Sequence, residues 1–345
     1  MITTIGPDRS EQWDETVRSF REYDVYWLSG YVRGFQIHGD GEPVLICYDD
    51  GNTRGINVVM KRDVAKAPAF AGKIPEGTCF DFSTPYGYGG WLTEGDGTDA
   101  LFRAYEAWLR ENKIICEFVR YHPMIRNHEQ SAGFYETVRL GEVVHMDLSS
   151  PETVWANLSS KNRNMIRKAE KNGITIRRGR DPEIYEAFRV MYNATMKQDG
   201  AEEYYYFGKA FYDSVREDLP ENAQVFWAEK DGQAIAASIM LTANGRMNYH
   251  LSGSVKEFRP LAPTNLLLYK AALWGCEHGC RTLYLGGGVG SGEDSLYKFK
   301  RAFYRGEDLN RFYIGKKILD PETYEMLTAL RTDIRNPGYF PKYRG

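Results

Sequence analysis

The hydrophobic pattern switches repeatedly between a period of two and a period near 3.6, and the switches are sharpest in the second half of the chain. A strand over 174–178 precedes helical patterns over 182–197 and 204–219. Three apolar runs follow at 224–230, 233–241 and 246–252, separated by Asp231-Gly232 and Asn244-Gly245. Asp-Gly and Asn-Gly between apolar runs are strong hairpin signals, so these segments form a three-strand antiparallel meander. A helix then opens at Pro263 and stops before Gly279; it is apolar nearly all round, through Leu266, Leu267, Leu268, Ala271, Ala272, Leu273 and Trp274, which predicts cover on two sides. Residues 282–285 alternate as a strand that runs into glycines, and Leu296, Phe299, Ala302 and Phe303 mark the helix beyond, capped by Asp294 or Ser295. A last strand covers 310–318.

The first half is written less clearly. A short helix is expected over 11–23, extended segments over 34–38, 43–48 and 55–61, a helix over 98–112, a buried strand over 114–119 and two extended segments within 135–148. This is a looser version of the order in the second half. The pattern predicts a structural duplication with domains at 1–150 and 151–320, then a helix and a loose aromatic and basic tail over 321–345.

Composition narrows the class. With 42% apolar and 14% aromatic residues, 345 residues can bury two cores, and the 26% charged fraction is ordinary. Five cysteines at irregular spacing do not make a disulfide framework; Cys276 and Cys280 flank His278 within an apolar helix pattern, which reads as buried thiols more readily than as a metal site. The start carries no basic and apolar leader pattern and no apolar run is long enough to span a bilayer, so a soluble cytoplasmic protein is expected.

The glycines at 286, 287, 288, 290 and 292 join a strand to a helix, an arrangement that exposes amide N–H groups to an anion or a polar acyl group. Neither well-known glycine motif fits. No Lys-Ser or Lys-Thr pair completes a Walker A loop, and the third glycine and following half of a dinucleotide fold are missing.

The net charge of −3 conceals a concentration of bases. Within WANLSSKNRNMIRKAEKNGI, residues 155–174, a single helical wheel puts Lys161, Arg163, Arg167, Lys168 and Lys171 on one arc of about 160°. With Arg177, Arg178 and Arg180, residues 161–180 hold eight bases against the one acid Glu170, a local +7. Such a face attracts the phosphates of a nucleic acid, a nucleotide or a lipid pyrophosphate; a solvated helix face is the plainer alternative.

The element order of the second half resembles Gcn5-related N-acetyltransferases (GNAT). Five motifs narrow the resemblance to the FemAB and FemX-like aminoacyltransferases: SSKNRNMIRKAEKNGI; YHLSGS followed by Pro263 and an apolar helix; LGGG with FKRAF downstream; TPYGYGG at 84–90; and RYHPMIRN at 120–127. Together they cover most of residues 80–305. The resemblance implies an α+β fold of two tandem GNAT-like domains, each a mixed, mostly antiparallel sheet flanked by helices, the first helping to bind the acceptor and the second holding donor and catalytic channel. Members transfer an aminoacyl group from aminoacyl-tRNA to an amine on a peptidoglycan precursor, and nearby relatives use acyl-CoA; no permanently bound cofactor or metal is implied. EFRPLAPTN, 257–265, stands where acetyl-CoA enzymes have a Q/RxxGxG/A pyrophosphate loop, which sets this chain apart from them.

The same resemblance places the family's catalytic lysine at Lys300, beside the Leu296, Phe299 and Phe303 stripe, where a lysine reaching out from beside a core stripe is the alternative. His250 is a candidate base that alternates with Asn248 and Ser252 along one strand, so that all three are expected on one face; a histidine satisfied within the fold explains it as well. Tyr86 and Tyr88 among glycines, Arg120 and Asn127 around a His-Pro turn, Ser252, and the loop glycines Gly286, Gly287 and Gly288 are candidate substrate contacts, with turn or cap architecture the competing explanation for the first four. Lys161, Arg163, Arg167 and Lys168 are the candidate tRNA or phosphate contacts. No Ser-His-Asp or Cys-His arrangement stands out, so direct transfer without a covalent enzyme intermediate is expected.

Overall fold

The computed structural model describes residues 1–345 and divides into two units, Met1–Leu140 with Phe312–Gly345, and Gly141–Arg311. The first unit opens with β1 (Ile2–Ile5), α1 (Ser10–Arg18), α2 (Ser29–His38), β2 (Glu42–Asp49), β3 (Thr53–Asp63), β4 (Phe80–Ser83), β5 (Leu92–Gly95), α3 (Asp99–Glu111) and β6 (Ile114–Arg120). Strands β1, β2, β3, β4 and β6 lie side by side in that order, β5 pairs with β3, and only β4 and β6 run parallel. Residues 34–38, expected to be extended, instead end α2. Tyr31, Val32 and Phe35 are buried at helical spacing, and Gly39, at φ 103°, terminates the turn.

The division between units falls inside β7 (Glu136–Asp147), earlier than the expected boundary near 150. The second unit continues with α4 (Pro151–Asn157), α5 (Ser160–Lys171), β8 (Thr175–Gly179), α6 (Pro182–Asp199), α7 (Lys209–Asp218), β9 (Ala223–Lys230), β10 (Gln233–Ala243), β11 (Arg246–Ser254), α8 (Pro263–Glu277), β12 (Thr282–Gly286) and α9 (Ser295–Arg301). Its sheet runs β7-β12-β11-β10-β9-β8, and only β11 and β12 are parallel. Both meander turns place two consecutive residues at positive φ, Asp231-Gly232 and Asn244-Gly245, the backbone that type I′ hairpins require. Helix α8 packs Leu266, Leu267, Leu268, Ala271 and Ala272 into a core shared with Val154, Leu158 and Ile166 and with Phe226, Met240 and Met247 of the sheet. The single basic helix expected from 155 onward is broken in two. Ser159 accepts from the Asn162 amide at 3.2 Å as the cap of α5, and Leu158 is extended.

The chain then returns to the first unit through β13 (Asn310–Ile318), antiparallel to β6, and α10 (Pro321–Ala329). Residues 321–345 are therefore neither a separate domain nor loose. Tyr343 is fully buried and donates to Asp81 Oδ2 at 2.8 Å, Arg344 Nε reaches the same oxygen at 2.6 Å, and Arg62 Nε holds Oδ1 at 2.5 Å.

A second buried carboxyl, Glu117, accepts from Asn57 Nδ2 at 3.0 Å, Tyr105 Oη at 3.1 Å and Tyr135 Oη at 2.9 Å. Burial nevertheless pushes it up to about 7, against the pull of those three donors. Because the folded state binds this proton more tightly than the unfolded chain, stability falls as pH rises from the ordinary glutamate range through 7. Glu117→Gln is expected to flatten that slope, worth on the order of 1–3 kcal/mol in wild type, in urea melts between about pH 5 and 8. Asn57 Oδ1 has no partner and turns to accept from the new amide. An unchanged slope assigns the pH dependence elsewhere.

Candidate active site

The site is built where β11 and β12 stop pairing. Their parallel ladder covers Arg246 with Thr282, Met247 with Leu283 and Asn248 with Tyr284, then ends, although β11 runs on to Ser254 and β12 to Gly286. Unpaired edges facing each other open a slot with free backbone groups on both walls. On the far side of β11 a bulge falls at His250, since Ile239 pairs with Leu251 while Met240 pairs with Tyr249. The extra residue reverses the alternation: Met247 and Tyr249 pack toward α8, whereas Gly253 abuts the backbone of Tyr192 in α6. Asn248 is thereby separated from Ser252, which corrects the expected common face.

Beyond β12 the glycines are dictated by close approach. Gly286 has φ +83°, and a Cβ on Gly288 would lie 2.1 Å from the Gly292 carbonyl oxygen. Asp294 ties the loop down, accepting from the Tyr297 amide at 2.8 Å and the Val289 amide at 3.2 Å; these backbone donors, Tyr297 foremost, hold its carboxyl below the usual range. Asp294 rather than Ser295 is thus the cap, and it occupies the start of α9. The loop does not offer that helix end to an outside anion, as the glycine pattern had implied. What it presents is the Gly287 carbonyl, which accepts from Lys300 Nζ at 2.7 Å.

Lys300 is 9% exposed, and burial pushes its ammonium down to about 8, partly offset by Asp294. An ammonium has three N–H donors, and Gly287 takes one. The others are free to meet an oxygen that gains negative charge. Tyr297 braces the same corner by donating to Glu142 Oε2 of β7 at 2.9 Å.

The other expected residues divide. Burial pushes His250 down to about 3, so the imidazole is neutral at physiological pH and a weak proton acceptor, which argues against the general-base role expected for it. Ser252 donates to the Ala237 carbonyl at 3.3 Å and is tied to the sheet. On α5, Lys161, Arg167 and Lys168 are exposed, with the Arg167 guanidinium 5.3 Å from the Trp155 ring centroid. Arg163 is half-buried and bonds the Trp155 carbonyl at 3.4 Å. The patch is smaller than the sequence indicated, because Arg177 pairs with Glu229 at 3.2 Å, Arg178 bonds Gln224 and Arg180 bonds the carbonyls of Ala223 and Arg216.

In the first unit, Asn127 is fully buried and spends its amide internally: Oδ1 accepts from the His122 amide at 2.9 Å, and Nδ2 donates to the carbonyls of Gly89 at 2.8 Å and Trp91 at 3.2 Å. It braces the TPYGYGG loop and has no donor left for a substrate, a correction to its expected role. Arg120 Nε likewise bonds the Gly87 carbonyl at 2.9 Å, with its guanidinium 4.8 Å from the Phe312 ring. Tyr86 stacks on Phe35, and Tyr88 meets Tyr26, His122 and Phe312 edge-on. Sequence reasoning missed the fully buried pair beneath them. His122 Nδ1 accepts from the Ile125 amide, so Nε2 carries the proton donated to Asp24 Oδ2 at 3.0 Å. No local pattern links residues so far apart in sequence.

A mixed sheet whose one parallel pair parts around a slot, followed by helix α9, gives the second unit a GNAT-type fold. Residues 157–301 match the acetyltransferase (GNAT) domain family. A curated relative, UDP-N-acetylmuramoylpentapeptide-lysine N(6)-alanyltransferase of Weissella viridescens, is 26% identical over 206 residues, 57% of this chain and 59% of that protein, so the match spans about three-fifths of the relative's length. The crystal structure of FemX superimposes with a TM-score of 0.66 at 15% identity, covering 94% of this chain and 99% of its own. A tandem GNAT protein from the clavulanic acid biosynthesis pathway gives 0.51 at 9% identity, covering 93% and 99%. The chain is thus similar in sequence to a Fem-type alanyltransferase and shares the fold of FemX.

Proposed function

We propose that this chain is an aminoacyltransferase that moves an aminoacyl group from aminoacyl-tRNA to a primary amine of a cell-envelope peptide precursor of the peptidoglycan type. The observation that carries this reading is the buried Lys300 ammonium, fixed by the Gly287 carbonyl at the end of the slot between β11 and β12. In direct transfer the amine attacks the ester carbonyl, a C–N bond forms, and charge collects first on the carbonyl oxygen and then on the departing ribose oxygen. A preorganised ammonium in a water-poor site stabilises both. The proton shed by the amine ends on the ribose oxygen, so no covalent enzyme intermediate, metal or resident cofactor is needed.

The donor is read as tRNA rather than acyl-CoA from the start of α8. Pro260 and Pro263 flank Leu261-Ala262 there and remove two amide donors where a pyrophosphate would need them. The relative's name supplies the acceptor class, a lysine amine on a nucleotide-linked pentapeptide. The first unit, with Tyr86, Tyr88 and Arg120, is read as the acceptor side and the second as the donor side, with the loop glycines as wall of the acyl site. No helix is long and apolar enough to cross a membrane. A tRNA donor and a nucleotide-linked acceptor fit a cytoplasmic enzyme.

The exposed face of α5 tests the donor. The triple variant Lys161→Ala, Arg167→Ala, Lys168→Ala is expected to bind alanyl-tRNA about tenfold or more weakly, with the log–log salt slope reduced by about 2–3. Filter binding at several salt concentrations measures both. An unaltered slope would leave α5 a solvated surface and remove it from donor binding.

A further inference from the structure

Tyr284 is the last residue of β12 paired with β11, opposite Asn248, and stands where the slot begins. Its side chain is 4% exposed. Two residues on stands Gly286, which has no side chain and lies against both Lys300 and Tyr284. A Cβ placed there would lie 3.3 Å from Lys300 Nζ and 3.9 Å from the Tyr284 hydroxyl oxygen. The ammonium and the phenol therefore border one small volume at the glycine wall. On β7 the antiparallel partner of Tyr284 is His145, which shares its face of the sheet. Burial holds that imidazole below its usual range, against the opposing pull of Asp308 and Asp147.

We propose that Tyr284 is a second catalytic residue, its hydroxyl donating to the oxygen of the reacting carbonyl while Lys300 supplies the compensating charge; this rests on the acyl-transfer reading of the same site. When the amine lone pair forms the C–N bond, the carbonyl pair moves onto oxygen and is held by the Tyr284 O–H and the ammonium. Collapse restores the carbonyl, breaks the ester C–O bond with its electron pair on the ribose oxygen, and leaves the amine's proton there. Tyr284 keeps its own proton throughout.

Tyr284→Phe keeps the ring and deletes the donor. With alanyl-tRNA and UDP-N-acetylmuramoyl-pentapeptide, its kcat is expected to fall about 10- to 100-fold, with both KM values within about twofold of wild type and Tm unchanged. Gly286→Ala is expected to lower kcat at least as far by filling the space. Full kcat in Tyr284→Phe overturns the proposal while leaving the transfer reading intact. Parallel loss of kcat and Tm overturns it too, by making the hydroxyl a structural group. A wild-type protein inactive with both alanyl-tRNA and acetyl-CoA overturns the transfer reading, and the role of Tyr284 with it.

Discussion

Lys300→Ala is expected to lower kcat by about a hundredfold or more while the KM values for donor and acceptor change little, because the ammonium meets charge that exists only in the transition state. The effect is not expected to come from unfolding. A lysine whose folded value lies near 8, below its unfolded value, weakens the fold at lower pH and ceases to do so as pH rises through that range. Removing it leaves a protein at least as stable at neutral pH, which a urea titration checks. The same shift fixes a pH profile. The charged form exists below about 8, so the lysine's contribution to transfer is lost as pH rises through 8, while deprotonation of the acceptor amine favours reaction in the opposite sense. Wild type is expected to show a falling limb near 8 that the variant lacks. A variant with normal turnover would remove Lys300 from the chemistry.

Deleting residues 340–345 is expected to destabilise the first unit by about 3–5 kcal/mol, the range for leaving a buried ion uncompensated. Asp81 has no exposure; burial alone would raise its carboxyl, but Arg62 and Arg344 hold it below the usual range. The deletion removes Arg344 and the Tyr343 hydroxyl together and takes the Tyr343 ring from the cluster of Val64, Phe70, Ile115, Cys116, Tyr324 and Leu327. Two readouts follow: a lower urea midpoint, and reaction of Cys116 with a thiol reagent, which burial prevents in the intact chain. Asp81→Asn should reproduce part of the loss and, unlike wild type, should not lose further stability as pH falls through the aspartate range. A truncated protein with an unchanged midpoint would contradict the structural role of the tail.

How much the sequence disclosed follows from how local each signal is. The meander was legible because Asp231-Gly232 and Asn244-Gly245 each carry their own backbone requirement, and α8 because its apolar surround, Pro263 and Gly279 lie within one segment. The stripe read for α9 was misplaced: Leu296 is 38% exposed, and Tyr297 and Lys300 are the buried residues of that helix. What was not legible depends on residues far apart in sequence. Nothing near Tyr343 announces Asp81, 262 residues away, so the end of the chain read as loose. Helix α2 was misread over 34–38 because Phe35 and Ile37 carry strand propensity, whereas burial of Tyr31, Val32 and Phe35 at helical spacing decided the matter. The basic arc read as one helix because a wheel takes no account of Ser159, whose side chain ends one helix and starts the next. At the site, the bulge at His250 depends on the register with β10, and the role of Asn127 depends on carbonyls 36 and 38 residues earlier. Tyr284 carried a weak signal, a phenol between Leu283 and Leu285 beside a glycine wall. Its meaning came only with the place where β11 and β12 part.

The most direct test is transfer from [14C]alanyl-tRNA to UDP-N-acetylmuramoyl-pentapeptide by the intact chain, with [14C]acetyl-CoA as the competing donor. The expected result is label in the acceptor through a base-stable amide at the lysine side chain, dependent on Lys300, with none from acetyl-CoA. Label from acetyl-CoA alone would make the chain an acetyltransferase, and label from neither would contradict the assignment of the slot to acyl transfer.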